Sequence, residues 1–287
     1  MFVTNAESTT ILRRALEGML EGSEKILISC TSRYMEFQIM DAMSLCSVSL
    51  KVGCIGFLLF PPRSQIKATS LQTDLRPLHH FLKRNATARH VRFQISTDKT
   101  RPWTVMALAA NQRVLDSLEL LLSRDETPYV DMTPSLFTKF TRFHMDPHEF
   151  ALVTLDLASG GGCMDVHVYA NNVVSFASRF PTGQIAFHCF RRKKSTPSTH
   201  VRKRARFYTP PLFKIERKGG TDSTRDPIHG RYIIKFLKLV CGVTPICEDM
   251  VIYIEQNWPL ILYMRFSDAI QMTVSVAPNF DEKKNTA

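Results

Sequence analysis

The chain has 287 residues, of which 44% are hydrophobic and 22% charged, with a formal net charge of +11 and an isoelectric point near 9.4. This composition implies a globular, soluble protein with one large or two medium domains. No stretch approaches the roughly 18 apolar residues that cross a bilayer, and no basic segment followed by an apolar run opens the chain, which excludes a membrane or secreted class and points to an intracellular protein.

The charge is concentrated. Between Arg191 and Lys218 the chain carries eleven Lys and Arg against the single acid Glu216, and the remainder is close to neutral. The high isoelectric point therefore reports one basic segment, with any further charge sorted by face elsewhere. Seven widely scattered cysteines (Cys30, Cys46, Cys54, Cys163, Cys189, Cys241 and Cys247) sit mostly in apolar surroundings and read as reduced core thiols.

In chain order, Ile11, Leu12, Ala15, Leu16, Met19 and Leu20 recur at helical spacing, with Ser8, Thr9 or Thr10 as the expected N-cap. Residues 26–30, 35–40 and 47–52 are short alternating runs separated by polar breaks, the pattern of an antiparallel meander. Leu75, Leu78 and Leu82 predict a second helix over about Asp74 to Arg84, followed by strands at Val91–Ile95, Val105–Leu108 and Leu115–Leu122.

Arg124 to Pro134 holds two prolines, three acids and no apolar period, which marks a linker. The pattern then restarts. Asp146-Pro-His-Glu149 is a strong helix start, because Asp can cap, Pro suits the first helical position and Glu149 sits where a capping box places it. Gly160–Gly162 ends that helix, and strands follow at Asp165–Tyr169, Val173–Ser178 and Gln184–His188, with a turn at Ala170–Asn172. A helix at about 230–241 and strands near 249–255, 259–265 and 269–276 complete a second copy of the same unit. The result is an internally duplicated α+β chain, interrupted at about 191–226 by a Lys, Arg, Ser, Thr, Pro and Gly-rich segment that reads as a flexible, partly disordered insertion.

Chemistry-bearing motifs are sparse. His144, Asp146, His148 and Glu149 are residue types that bind zinc, and a metal-dependent nuclease is the enzyme reading they would support. Helix capping accounts for Asp146 and Glu149, and no second cluster completes a ligand set. Cys241 and Cys247 lack CxxC spacing, and neither a phosphate-binding GxxxxGKS/T loop nor a GxSxG elbow is present. The expectation is a protein without catalytic residues, metal or cofactor.

The quoted segments resemble, in order and spacing, the sliding clamps of the proliferating cell nuclear antigen (PCNA) family. The segments that carry this are Ile11-Leu-Arg-Arg14 with Leu16-Glu17, Gln38-Ile-Met-Asp41 with Val48-Ser-Leu50, Glu149-Phe-Ala151 with Asp156-Leu157, Gly230 to Val240, Thr244-Pro-Ile, Val251-Ile-Tyr-Ile, Pro259-Leu-Ile-Leu-Tyr, and Val274-Ser-Val-Ala-Pro-Asn-Phe280. The resemblance implies a DNA-clamp fold: domain 1 at 1–122, an interdomain connector at 123–135, and domain 2 at 136–287 with the basic insertion. Each domain would pack two helices on antiparallel sheet.

It further implies a non-catalytic homotrimeric ring in the nucleus. The ring would encircle double-stranded DNA without sequence preference and tether DNA polymerase and other replication and repair proteins, with a clamp loader as a further partner. The residues matching the family's DNA-facing helices are Arg13, Arg14, Lys83, Arg84, Arg231, Lys235 and Lys238; the third helix departs, offering Leu152, Leu155, Asp146, Glu149 and Asp156 instead. Those matching the partner-peptide pocket are Met40, Leu45, Pro245, Val276, Ala277, Pro278 and Phe280, with the connector as its strap; the competing reading is that some of them merely close the core. Leu115–Leu122 and Val173–Arg179 take the places of the edge strands that close the ring.

Arg191, Arg192, Lys193 and Lys194, then Arg202, Lys203, Arg204 and Arg206, resemble a bipartite nuclear-import signal and suit phosphate contact equally well; a solubilising loop is the alternative. Asn171 and Asn172 stand where eukaryotic replication clamps carry a modified lysine, which fits a divergent or viral clamp. Two relatives of the clamp reading stay open: a herpesvirus-type processivity subunit that does not form a ring, and one subunit of a heterotrimeric checkpoint clamp.

Overall fold

In a computed structural model of the chain, the described residues are 1–61, 69–96, 102–121, 141–169, 173–180, 183–189, 215–217 and 227–280. They form an α+β structure in which helices pack on three antiparallel sheets. The first half runs β1 (Phe2–Thr4), α1 (Ala6–Leu20), β2 (Lys25–Cys30), β3 (Tyr34–Met40), β4 (Cys46–Gly53), β5 (Phe57–Leu59), β6 (Thr69–Asp74), α2 (Leu75–Arg84), β7 (His90–Gln94), β8 (Trp103–Leu108) and β9 (Val114–Leu120). The second runs β10 (Thr141–Met145), α3 (Pro147–Ala158), β11 (Cys163–Val168), β12 (Val174–Phe180), β13 (Gly183–Cys189), β14 (Ile215–Arg217), β15 (Ile228–Ile233), α4 (Ile234–Lys238), β16 (Asp249–Ile254), β17 (Leu260–Arg265) and β18 (Ile270–Val276). Among the described residues the order of strands and helices is the same in both halves.

Local sequence explains the helix boundaries. The side chain of Asn5 accepts from the Ser8 amide at 2.7 Å, so α1 begins before the expected Ser8–Thr10 cap, and the Ser8 hydroxyl instead donates to the Gly56 carbonyl. Ile11, Leu12, Ala15, Leu16 and Met19 are buried along one side of α1, as their spacing predicts. Asp146 caps α3 by accepting from the Glu149 amide at 3.0 Å, with Pro147 in the first turn. The helix expected at 230–241 is shorter: 228–233 are strand, and α4 keeps only Ile234–Lys238. Gly230, Tyr232 and the β-branched Ile228 and Ile233 suit a strand, and backbone pairing with β11 along six residues holds them there.

The sheet orders are β5-β1-β7-β8-β9, β14-β10-β16-β17-β18-β4-β3-β2-β6 and β13-β12-β11-β15. The nine-stranded sheet spans both halves, joined by β18 against β4 from Ile270↔Val52 to Val276↔Cys46. Two sequence expectations are corrected. The strand at 173–179, expected at a sheet edge, is the interior strand β12, and β13 lies outside it. Within the expected insertion, Ile215–Arg217 pair as β14 with β10. The connector at 123–135, the turn residues Asn171 and Asn172, and the basic residues Arg191–Lys194 and Arg202–Arg206 lie outside the described residues.

One apolar core runs between the sheets and the helices and includes Leu16, Phe37, Leu50, Phe93, Phe143, Phe176, Leu237 and Met272. Full burial of each such side chain contributes roughly 1.5–3 kcal/mol. Helix α1 packs on α2, and α3 packs on α4. The two pairs meet where Gly18 of α1 lies against the Leu239 carbonyl at the end of α4. No helix among the described residues is long and apolar enough to cross a membrane.

Gly18 yields the first prediction. In an ordinary helix Gly→Ala is stabilising by about 1 kcal/mol. Here an added Cβ would collide with the backbone oxygen of Leu239. Gly18→Ala is expected to destabilise by about 1–3 kcal/mol in urea unfolding, reversing the sign that helix propensity gives.

Candidate nucleic-acid and partner interfaces

The helix row presents the basic residues singled out from sequence, though unevenly. Arg13 on α1 donates from Nη1 to the Ala86 carbonyl at 2.6 Å, tying α1 to the loop after α2, whereas Arg14 is exposed. Lys83 lies 3.9 Å from Glu17, with both side chains mostly exposed. Arg84 binds Asp116 of β9, donating from Nε at 3.1 Å. The Asp116 carboxyl is held below the usual carboxylate range by hydrogen bonds from Asn85 and then Arg84. Lys235 and Lys238 are both exposed on α4. Arg231, expected on the same helix, instead occupies strand β15, where its Nε lies 4.0 Å from the Asp165 carboxylate. Helix α3 carries no Lys or Arg, and exposes Leu155 and Asp156. The solvent side of the row is therefore mixed in sign, with positive charge gathered on α2 and α4.

The proposed pocket residues separate. Val276 is fully buried in β18 opposite Cys46, so its side chain belongs to the core. Ala277 donates its amide to the Leu45 carbonyl at 2.7 Å, which places the two backbones side by side, with the Leu45 side chain packed against the core. Pro245 is exposed in a 3-10 turn at Thr244–Ile246. Met40 lines a cavity of about 730 Å³ beneath the turn from α1 to β2, which also takes in Gly22, Lys25, Asp41 and Arg76. Pro278 and Phe280 line another, of about 310 Å³. Among the described residues, these seven positions do not share a single hollow.

The smaller cavity contains a charged cluster that sequence reading missed. The Asp165 side chain is 6% exposed, and three cationic or ionisable groups surround it: His229 Nε2 at 3.5 Å, Arg179 Nε at 3.9 Å and Arg231 Nε at 4.0 Å. Cross-strand register creates the cluster, because Asp165 faces Arg231 and His167 faces His229 between β11 and β15. The rings of His167 and His229 stack with centroids 4.4 Å apart. Burial, with the neighbouring His229, pushes the His167 imidazole below its ordinary value. The alternation of Asp165, His167 and Tyr169 was visible as a signal for one polar face; their partners on β15 were not.

The metal-like cluster of the sequence also divides. His144 Nδ1 lies 3.3 Å from Asp249 Oδ1, whereas Asp146 caps α3. Among the described residues no group of three His, Cys, Asp or Glu side chains is placed to hold a metal ion. All seven cysteines are free; burial pushes the Cys30, Cys46 and Cys189 thiols up to about 12, and Cys54 departs from the core expectation by being exposed. No protein-family model and no curated protein matches the chain.

His79 supplies a pH prediction. It is buried on α2, its Nδ1 has no hydrogen-bond partner, and burial holds its imidazole below the usual value in spite of nearby Glu17. The native state thus favours the neutral ring, so the unfolded chain takes up the proton first as pH falls below about 6.5. Stability from this site is present above that pH and lost below it. In chemical denaturation, His79→Leu is expected to lose less stability than the parent between about pH 7 and about pH 5.5.

Proposed function

We propose that the protein is a PCNA-type sliding clamp, a non-catalytic ring that encircles duplex DNA and tethers a polymerase. The observation that carries this reading is the duplicated order of strands and helices, with the helix pairs of both halves meeting at Gly18 and Leu239. Such a repeat offers a curved protomer whose helices line one side, and Arg14, Lys83, Lys235 and Lys238 are exposed there for phosphate contact without base readout. Processivity then comes from topology, since leaving DNA requires opening a protein interface.

Ring closure is assigned to β9 and β13, the outer strands of the five- and four-stranded sheets. On β9, Leu118 is half-buried against the core, and Val114 and Leu115 are 48% and 41% exposed. On β13, Phe187 is likewise half-buried and Ile185 is 42% exposed. Pairing β9 of one protomer with β13 of the next would satisfy both backbone edges and bury these side chains in a head-to-tail contact that closes into a trimer. The two domains, the connector strap over a partner-peptide pocket, clamp loading and nuclear import through the Arg191–Arg206 segment belong to the same proposal.

A specific observation favours a second reading. The helix row is mixed in charge, whereas 191–218 is strongly basic. An open, non-ring processivity subunit would grip DNA chiefly through that segment.

Solution mass tests the ring: a trimer is expected, with Ile185→Lys shifting it to monomer and abolishing the gain in polymerase product length on primed circular DNA. A strictly monomeric parent that adds nothing to product length would sink the clamp reading. Gln in place of Arg191–Lys194 and Arg202–Arg206 separates the two assemblies, and unlike deletion through Lys218 it leaves strand β14 in place. A closed ring keeps sliding; an open binder loses most of its salt-sensitive affinity. In the ring, Lys235→Glu with Lys238→Glu is expected to weaken DNA retention and flatten its salt dependence.

A further inference from the structure

Strand β9 is an outer edge of the five-stranded sheet, and among the described residues no strand lies beyond it. Its pairing with β8 is interrupted. Ala107 faces Asp116 and Leu108 faces Val114, so Leu115 is an extra residue, and such a bulge re-aims the side chains next to it. Asp116 reaches the end of α2, where Arg84 and Asn85 both donate to it.

The two oxygens of this carboxylate have different partners. Oδ2 accepts from Arg84 Nε at 3.1 Å, from Arg84 Nη2 and from Asn85 Nδ2 at 2.9 Å, whereas Oδ1 accepts from the Ser117 amide at 2.9 Å. A guanidinium grips a carboxylate best with two parallel bonds to two oxygens. Here both bonds converge on one oxygen, because the other is engaged on the backbone of β9. Ser117, for its part, is an exposed residue of an edge strand whose amide is answered by a side chain where a neighbouring strand would offer a carbonyl. The Arg84 and Asp116 side chains are 69% and 29% exposed, so these contacts are solvated and readily exchanged.

We propose that Asp116 is a latch on the ring-closing edge. In the free protomer its carboxylate occupies the Ser117 amide; a second copy of this chain, pairing along β9, supplies a strand carbonyl to that amide, and Oδ1 passes to the Arg84 fork. Arg84 is thus the keeper of the displaced carboxylate, and its two-oxygen grip is completed only when the edge is paired. The inference rests on the ring reading and adds to it a contact that opposes unwanted edge pairing. The two ends of one ion pair therefore act on assembly in opposite directions.

The test follows assembly of the full chain without DNA, in a dilution series read by fluorescence-detected sedimentation. Asp116→Ala frees the Ser117 amide and is expected to lower the concentration of half-assembly about fivefold. Arg84→Gln leaves the displaced carboxylate without its fork and should raise that concentration about fivefold, with Arg84→Lys between it and the parent, because lysine keeps the charge and loses the fork. The double variant should match Asp116→Ala, since the keeper then has nothing to hold. A plain brace of β9 on α2 would make both single variants assemble less well. That result, an unchanged Arg84→Gln, or an Asp116→Ala chain that assembles no better than the parent would each overturn the proposal. If parent and Asp116→Ala both stay monomeric, the ring reading itself has failed. Hydrogen exchange in the Ile185→Lys chain reads the latch without the ring: Asp116→Ala should speed exchange of the Ser117 amide about tenfold, and an unaltered rate would overturn the latch.

Discussion

The structure depends on a pairing between segments more than two hundred residues apart. Strand β18 runs antiparallel to β4, and its alternation sorts the two sides of the junction. Ile270, Met272, Val274 and Val276 face inward with Val52, Leu50, Val48 and Cys46 and join the core. Lys51, Ser49 and Ser47 turn the other way with Gln271, Thr273 and Ser275. A slip of one residue would exchange these sets and place four apolar side chains on the polar side, so burial holds the register. The same contact converts two sheets into one of nine strands and brings the helix pairs together, where Gly18 allows α1 to approach the end of α4.

Charge is distributed around this frame by different rules on different surfaces. On the helix row, exposed pairs such as Lys83 with Glu17 are solvated and weak, so the lysines there can exchange one anionic partner for another at little cost. Around Asp165 the carboxylate is buried, and removing the cations that face it would leave a charge stranded in low dielectric. Glu36 shows a third use of buried charge: it accepts from Ser49 and lies 3.7 Å from Lys51, whose ammonium also sits over the Tyr34 ring. That group has its partners within the sheet and contributes to pairing specificity.

Much of the architecture was legible because it is periodic. The stripe on α1, the Asp146-Pro147 start of α3, the alternating runs of β2 and β3 and the continuous apolar runs of β16 and β17 all follow from side-chain spacing and capping chemistry. What escaped were short strands such as β1, β5 and β10, whose three to five residues are too few to express a period. The helix boundary at 230–241 was misplaced because Arg231, Lys235 and Lys238 satisfy a helical spacing that long-range pairing with β11 overrides for the first of them. The pocket positions fared worst. Met40 and Phe280 line different hollows, and Val276 lies within the core, distinctions that depend on which side of a sheet each faces.

By itself the sequence determined the α+β class, the internal repeat, the Asp146 cap of α3, and the concentration of positive charge between Arg191 and Lys218, because each of these is written in neighbouring residues. Only the tertiary structure decided which strands became edges, that β13 rather than β12 lies outermost, and that Asp165 meets Arg179, His229 and Arg231. Strand order and register are set by burying one face of each strand against partners far along the chain. No local pattern contains that information, since the free energy that selects the partner comes from surfaces absent until the sheets have formed.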